Sequence, residues 1–195
     1  MIKNLVFSLL ALLFVSCAVN EANLQKKEPI KEAINEELIS QVRYILHLLE
    51  NNNTKKLNSD YINKELGYYE VSLDENLNTP TIMKKTKLTD LDDYVESYNV
   101  QNIEVDFHCS PHNDAFYGWD NDGVFIFDPK NNYLVNKLET STGKEQEFIK
   151  QIIQNSYEVV ITNNMIFYIT KVDKKYYITL IDNLKTNCSN ALANL

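Results

Sequence analysis

The segment Asp106–Asp114 reads DFHCSPHND, with two histidines, a cysteine and two aspartates in nine residues. Three chemistries use such a set: a metal centre, a thiol nucleophile with its base, or half of a disulfide. A zinc centre would draw on His108, Cys109, His112 or Asp114, with Cys188 brought from the far end of the chain. Zinc needs about four such ligands within roughly 2.3 Å of one point. IEVDFHC alternates as a strand does, so the neighbours His108 and Cys109 face opposite sides. The His108-to-His112 spacing serves only a helix, which Ser110-Pro111 disfavours. No metal site is therefore expected. A nucleophile needs an electropositive, accessible setting. Cys109 instead shares an apolar strand face with Ile103, Val105 and Phe107, among mostly acidic charges, so no catalytic residue is expected here. The third reading needs only that Cys109 meet Cys188 in an oxidising compartment.

Other candidate groups are weaker. WDNDGVF carries calcium-type aspartates, Asp120 and Asp122. With Gly123 as the loop glycine, Gly118 stands where the first aspartate belongs and Pro129 where the glutamate belongs. Asn121-Asp122-Gly123 reads better as a turn. Asp92-Asp93 and Glu104/Asp106 are carboxylate pairs with no evident acid–base partner. The aromatic pool for stacking on a ligand is Tyr68, Tyr69, Tyr94, Tyr98, Tyr117 and Trp119. Of these, Tyr94, Tyr98, Tyr117 and Trp119 are the candidate ligand-binding residues, against a competing reading as packing groups. Four glycines in 195 residues and no Gly-rich phosphate loop argue against a nucleotide fold, and no cofactor is expected. A formal charge of −8 argues against nucleic-acid partners and against electrostatic docking on anionic lipid.

The compartment is written at the N-terminus. Lys3 precedes the apolar run LVFSLLALLFV, residues 5–15, which is too short to span a bilayer but suits an export signal. FVSC then places a small residue directly before Cys17. This resembles the lipobox of bacterial lipoproteins, with Phe14 where leucine is usual. The resemblance implies cleavage after residue 16, lipidation of Cys17 and a membrane partner held through that lipid. Ala18 stands where inner-membrane retention usually shows Asp, which implies the outer membrane. In an exported chain with Cys17 acylated, Cys109 and Cys188 are expected to form a disulfide. The loop closed is about 80 residues, which the chain-entropy model values at about 4–5 kcal/mol.

These residues need a scaffold. Residues 17–34, containing Pro29, read as the lipidated cysteine and a flexible tether, and 35–190 as one α+β domain with a 191–195 tail. Leu38, Val42, Ile45 and Leu49 recur at helical spacing after Asn35, a favoured cap, and the helix should stop at the Asn51–Asn53 run. A second helix carries Leu57, Tyr61 and Ile62 and should end at Gly67, before the strand GYYEVSL. Residues 74–88 are turn-rich. Thr89 can cap a helix over DLDDYVESY, with Leu91, Tyr94, Val95 and Tyr98 on one face. IEVDFHC and VFIF read as strands, and Gly143–Asn155 as a helix with Phe148, Ile149, Ile152 and Ile153 inward. YEVVITN, MIFYITKV and YYITLID form a meander with turns at Asn163-Asn164 and Asp173-Lys174.

This order of elements resembles NTF2-like (cystatin-like) domains, in which a curved antiparallel sheet wraps an N-terminal helix. FYITKVDKKYYITLIDNLKTNCSN is similar to the ending of a family of uncharacterised bacterial lipoproteins, with an FY-x-T strand, a YY-x-T strand, then Asp and T-x-C-S. LNSDYINKELGYYEV resembles the same family's helix-to-strand passage. The likeness implies export and an α+β fold and supplies no catalytic residue. The expectation is a lipid-anchored envelope protein acting as a non-catalytic binding or accessory module, with a protein or small molecule as partner. The alternative is a small-ligand carrier or enzyme using an NTF2-like concave pocket.

Overall fold

A computed structural model describes residues 31–74, 79–89, 91–109, 117–129, 134 and 143–188. The signal segment 1–16, Cys17, the tether through residue 30, His112, Asp114 and the 191–195 tail lie outside them. Helix α1 (Glu36–Glu50) is capped by Asn35, whose side chain accepts the Leu38 N–H, with Glu36 and Glu37 in the first turn where the helix dipole favours them. It stops at the asparagine run, where Asn52 takes φ +50°. The stripe read from the sequence is its buried face: Leu38, Val42, Ile45, Leu46, Leu48 and Leu49. Each such side chain contributes about 1.5–3 kcal/mol relative to exposure. Helix α2 (Thr54–Tyr61) starts from Asn53 and buries Leu57 and Tyr61.

The strands are β1 (Tyr68–Asp74), β2 (Thr79–Lys85), β3 (Val100–Gln101), β4 (Phe107–Cys109), β5 (Tyr117–Trp119), β6 (Val124–Phe127), β7 (Ser156–Ile161), β8 (Met165–Val172) and β9 (Lys175–Asp182). Helix α3 (Gly143–Asn155) leads directly into β7. Seven strands form one sheet in the order β2-β1-β9-β8-β7-β6-β3, and β4-β5 form a separate hairpin. The C-terminal meander holds: Asn163, Asp173 and Lys174 adopt the positive φ its two tight turns require. One face of the sheet, with Tyr157, Val159, Phe167, Ile169 and Ile178, packs against α1 and α2. The other face is divided. Over Val71, Tyr168 and Leu180 lie Ile149 and Ile153 of α3. Over Phe125, Phe127, Val160 and Ile166 lie Val105 and Trp119. Packing begins upstream of α1, since Ile34 joins the main core and the Glu32 carbonyl accepts the Tyr157 hydroxyl. Among the described residues no helix is long and apolar enough to cross a membrane.

The α+β class stands, but the sheet is mixed rather than antiparallel, because β1 pairs parallel with β9 and β3 parallel with β6. α2 ends at Tyr61 and not at Gly67. Gly67, at φ +65°, instead turns the chain into β1. Residues 91–97 are not helical. The Asp92 side chain accepts the Tyr94 N–H, and Asn164 donates to the carbonyls of both residues, which gives the backbone partners other than a helix. Leu91 and Val95 still reach the main core from this extended path. Residues 74–88 contain a full strand, β2, paired with β1 along its length. IEVDFHC is a strand only at its end: Ile103 is 47% exposed and Val105 buried, since the chain leaves the sheet after β3 to begin the β4-β5 hairpin. In α3, Ile149 and Ile153 are buried, but Phe148 is 44% exposed and rests its ring on Tyr69.

Candidate functional site

Between the two apolar clusters on the divided face lies a buried polar group. Strand β7 is buried along its whole length, and Glu158, one residue after the inward Tyr157, must point to the opposite face. Its cross-strand neighbours are Phe127 and Tyr168. Glu158 is 2% exposed, a position a carboxylate occupies only when its oxygens are held. Both are held. The Tyr168 hydroxyl donates to Oε2 at 3.1 Å, and the Lys185 ammonium donates to Oε1 at 2.6 Å. Burial pushes the Glu158 carboxyl above its ordinary range, with Lys185 opposing that shift in part. Burial also pushes the Tyr168 hydroxyl well above the usual tyrosine range.

Lys185 is aimed by the turn after β9. Buried Asp182 accepts the Leu184 and Lys185 N–H groups through Oδ1, at 2.8 and 3.1 Å, folding the segment back over the sheet. Asn183 donates its N–H to the Val71 carbonyl at 2.8 Å. The lysine Nζ then sits 5.2 Å from the Phe127 ring centroid and 5.9 Å from that of Trp119. Cys188 closes the segment: it is bonded to Cys109 at the end of β4, with 5.3 Å between Cα atoms and a sequence separation of 79. DFHC of the opening motif thus forms the wall facing the C-terminal segment, and its cysteine is a crosslink. Among the described residues no group of three or more His, Cys, Asp or Glu side chains could hold a metal ion.

A cavity of about 350 Å³ opens over this pair, within the size range of small-molecule sites. Its lining includes Glu158 and Lys185, Phe107 and Phe127, His108, and Glu104 and Asp106 from the chain entering β4. The β4-β5 hairpin is pinned here by reciprocal bonds: the Asp120 N–H to the Asp106 carbonyl, and the Asp106 N–H to the Asp120 side chain, both 3.2 Å. A general acid must bring its proton within about 3 Å of a substrate atom. Both Glu158 oxygens are engaged by the protein's own donors, which does not suit Glu158 itself to proton transfer.

The aromatic candidates are not gathered. Trp119 is buried under Phe107 and Lys185, with ring centroids 5.2 Å apart in the Phe107 pair, and borders a separate cavity of about 240 Å³. Tyr117 is 58% exposed on the same hairpin. Tyr94 and Tyr98 are exposed on the extended 91–98 path, with the Tyr98 hydroxyl donating to Glu50. Tyr68 and Tyr69 lie on opposite faces of β1, Tyr68 in the main core and Tyr69 against α3. Asn121-Asp122-Gly123 is a bend between β5 and β6 with Gly123 at φ +138°, and the Thr162 hydroxyl accepts the Gly123 N–H at 2.8 Å. Sequence reasoning missed Glu158, Tyr168, Asp182 and Lys185. The usable signal was one acid inside the apolar run SYEVVI, followed by a lysine just past the last strand. No family model, curated protein or solved structure matches this chain.

Proposed function

We propose that this is an exported protein, anchored to the bacterial envelope through lipid on Cys17, whose domain is a non-catalytic binding module. The observation that carries the reading is the Cys109–Cys188 bond, since such crosslinks persist in oxidising compartments and are rare in the cytosol. It agrees with the apolar run at residues 5–15 and the FVSC that follows. Ala18 favours the outer membrane. The uncharacterised-lipoprotein likeness of the C-terminal strands supports the same assignment. The NTF2-like reading, made from the order of elements, would put a concave pocket on the sheet face that α1 covers, and core side chains pack there. A concave pocket on that face is thus disfavoured. The cavity on the opposite face favours a small-ligand carrier as the form the module takes.

The test is metabolic labelling with a fatty-acid analogue. Incorporation should depend on Cys17, and undiminished labelling of Cys17→Ser would exclude the anchor.

A further inference from the structure

The cavity over Glu158 has a composition that selects among ligands. Among the described residues three carboxylates line it, Glu104, Asp106 and Glu158, with one ammonium, Lys185, and one imidazole, His108. Lys185 is committed to Glu158 at 2.6 Å. Glu104 and Asp106 are exposed, and neither side chain has a hydrogen-bond or ion-pair partner among the described residues. Among the described lining residues, Glu104 and Asp106 therefore turn negative charge toward whatever enters. Its lining also carries the apolar side chains of Phe107, Phe127, Leu184 and Pro129. A hydrated metal ion gains nothing from such side chains, and a phosphate or carboxylate is repelled by the two acids. An alkylammonium on a compact body is matched by both parts.

The protein already shows how this chemistry is accommodated: the Lys185 ammonium rests between the Glu158 carboxylate and the Phe127 ring face, at 5.2 Å. We propose that the cavity binds a small organic cation, a primary amine whose ammonium lies toward Glu104 and Asp106 and whose body packs on Phe107 and Phe127. The volume, about 350 Å³, is roughly ten times one water's share of liquid, room for a single sugar-sized or cyclic amine. Electrostatic attraction of this kind is screened by salt over about 8–10 Å, so affinity should fall as ionic strength rises.

This inference rests on the binding-module reading but not on the lipid anchor. The full chain in detergent is titrated calorimetrically with two matched pairs, D-glucosamine against D-glucose and cyclohexylamine against cyclohexanol, and with inorganic phosphate. The amines are expected to bind at least tenfold more tightly than their neutral twins and to weaken with added salt. The double variant Glu104→Gln/Asp106→Asn should lose about tenfold in amine affinity with an unchanged melting temperature, both side chains being exposed. Equal binding of amine and neutral twin, or preference for phosphate, would overturn the cation while leaving a binding module. No heat with any probe, or full amine affinity in the double variant, would overturn the site. Cys17 labelling is independent of all these outcomes.

Discussion

Glu158 and Lys185, 27 residues apart in sequence, share a 2.6 Å ion pair whose carboxylate is 2% exposed. Removing one partner of such a pair leaves a charge that cannot reach water, which costs about 3–5 kcal/mol. Lys185→Met should therefore lower stability by about 3 kcal/mol at pH 7. Glu158→Met/Lys185→Met, which removes both charges, should recover most of that loss.

The same pair has a pH signature. Burial raises the folded-state Glu158 carboxyl above its ordinary 4.5, so the folded chain holds this proton more tightly than the unfolded chain. The stability contributed by protonation is complete below pH 4.5 and is lost as pH rises through the raised value. Lys185→Met removes the group that opposes the shift, so its deficit should shrink between pH 7 and pH 5. Chemical denaturation at the two pH values reads this directly, and an equal deficit at both would refute the buried-charge account.

The Cys109–Cys188 bond closes a long loop and ties down the segment that carries Lys185. Intact mass should rise by two hydrogens on reduction under denaturing conditions. Cys109→Ala/Cys188→Ala should lose up to about 4–5 kcal/mol on the chain-entropy estimate. Limited proteolysis should then cut within residues 183–188 before any site in the sheet. A variant as resistant there as the parent would show that the Asp182 turn alone holds the segment.

What could be read from the sequence was what is decided locally. The α1 stripe and its Asn35 cap need only near neighbours, as do the two meander turns with their asparagine and aspartate residues. Cys109–Cys188 was accessible because the export and Cys17 lipidation expected from the N-terminal residues would leave two cysteines to pair. The misses share the opposite cause. Leu91, Tyr94, Val95 and Tyr98 have helical spacing, but Asn164, some seventy residues away, holds that backbone extended. Strand β2 is an edge strand among the described residues and has no alternation to detect, and it exists because β1 lies beside it. Glu158 looks like an error in a buried strand until Tyr168 and Lys185 are brought to it.

Asn58 joins α2 to the loop after β2. Its Nδ2 donates to the Leu88 carbonyl at 3.0 Å and its Oδ1 accepts the Leu88 N–H at 2.7 Å, at a residue that is almost wholly buried. Asn58→Leu keeps the volume but strands both backbone groups, each costing about 1–3 kcal/mol when buried and unpaired. A loss of about 2–4 kcal/mol is expected. Asn58→Asp keeps the acceptor and removes the donor, so it should fall between. Hydrogen exchange at the Leu88 amide separates the two, being accelerated in Asn58→Leu and protected in Asn58→Asp.

Gly67 carries the chain from the turn after α2 into β1, with its N–H donated to the Asn63 carbonyl at 2.8 Å. Its φ of +65° costs an L-residue about 1–2 kcal/mol, and here conformation is the smaller part of the problem. A Cβ placed on Gly67 would lie 2.4 Å from the Lys85 carbonyl oxygen, a backbone atom at the end of the β1-β2 pair that has no rotamer with which to yield. Gly67→Ala should therefore cost well above the conformational figure, about 3 kcal/mol or more. Gly118 is a suitable control. It also has positive φ, +113°, but a Cβ there meets nothing within 4 Å. Gly118→Ala should show the backbone penalty alone. If thermal denaturation finds the two variants equally destabilised, the close approach of β2 to Gly67 is not what the glycine is there to permit.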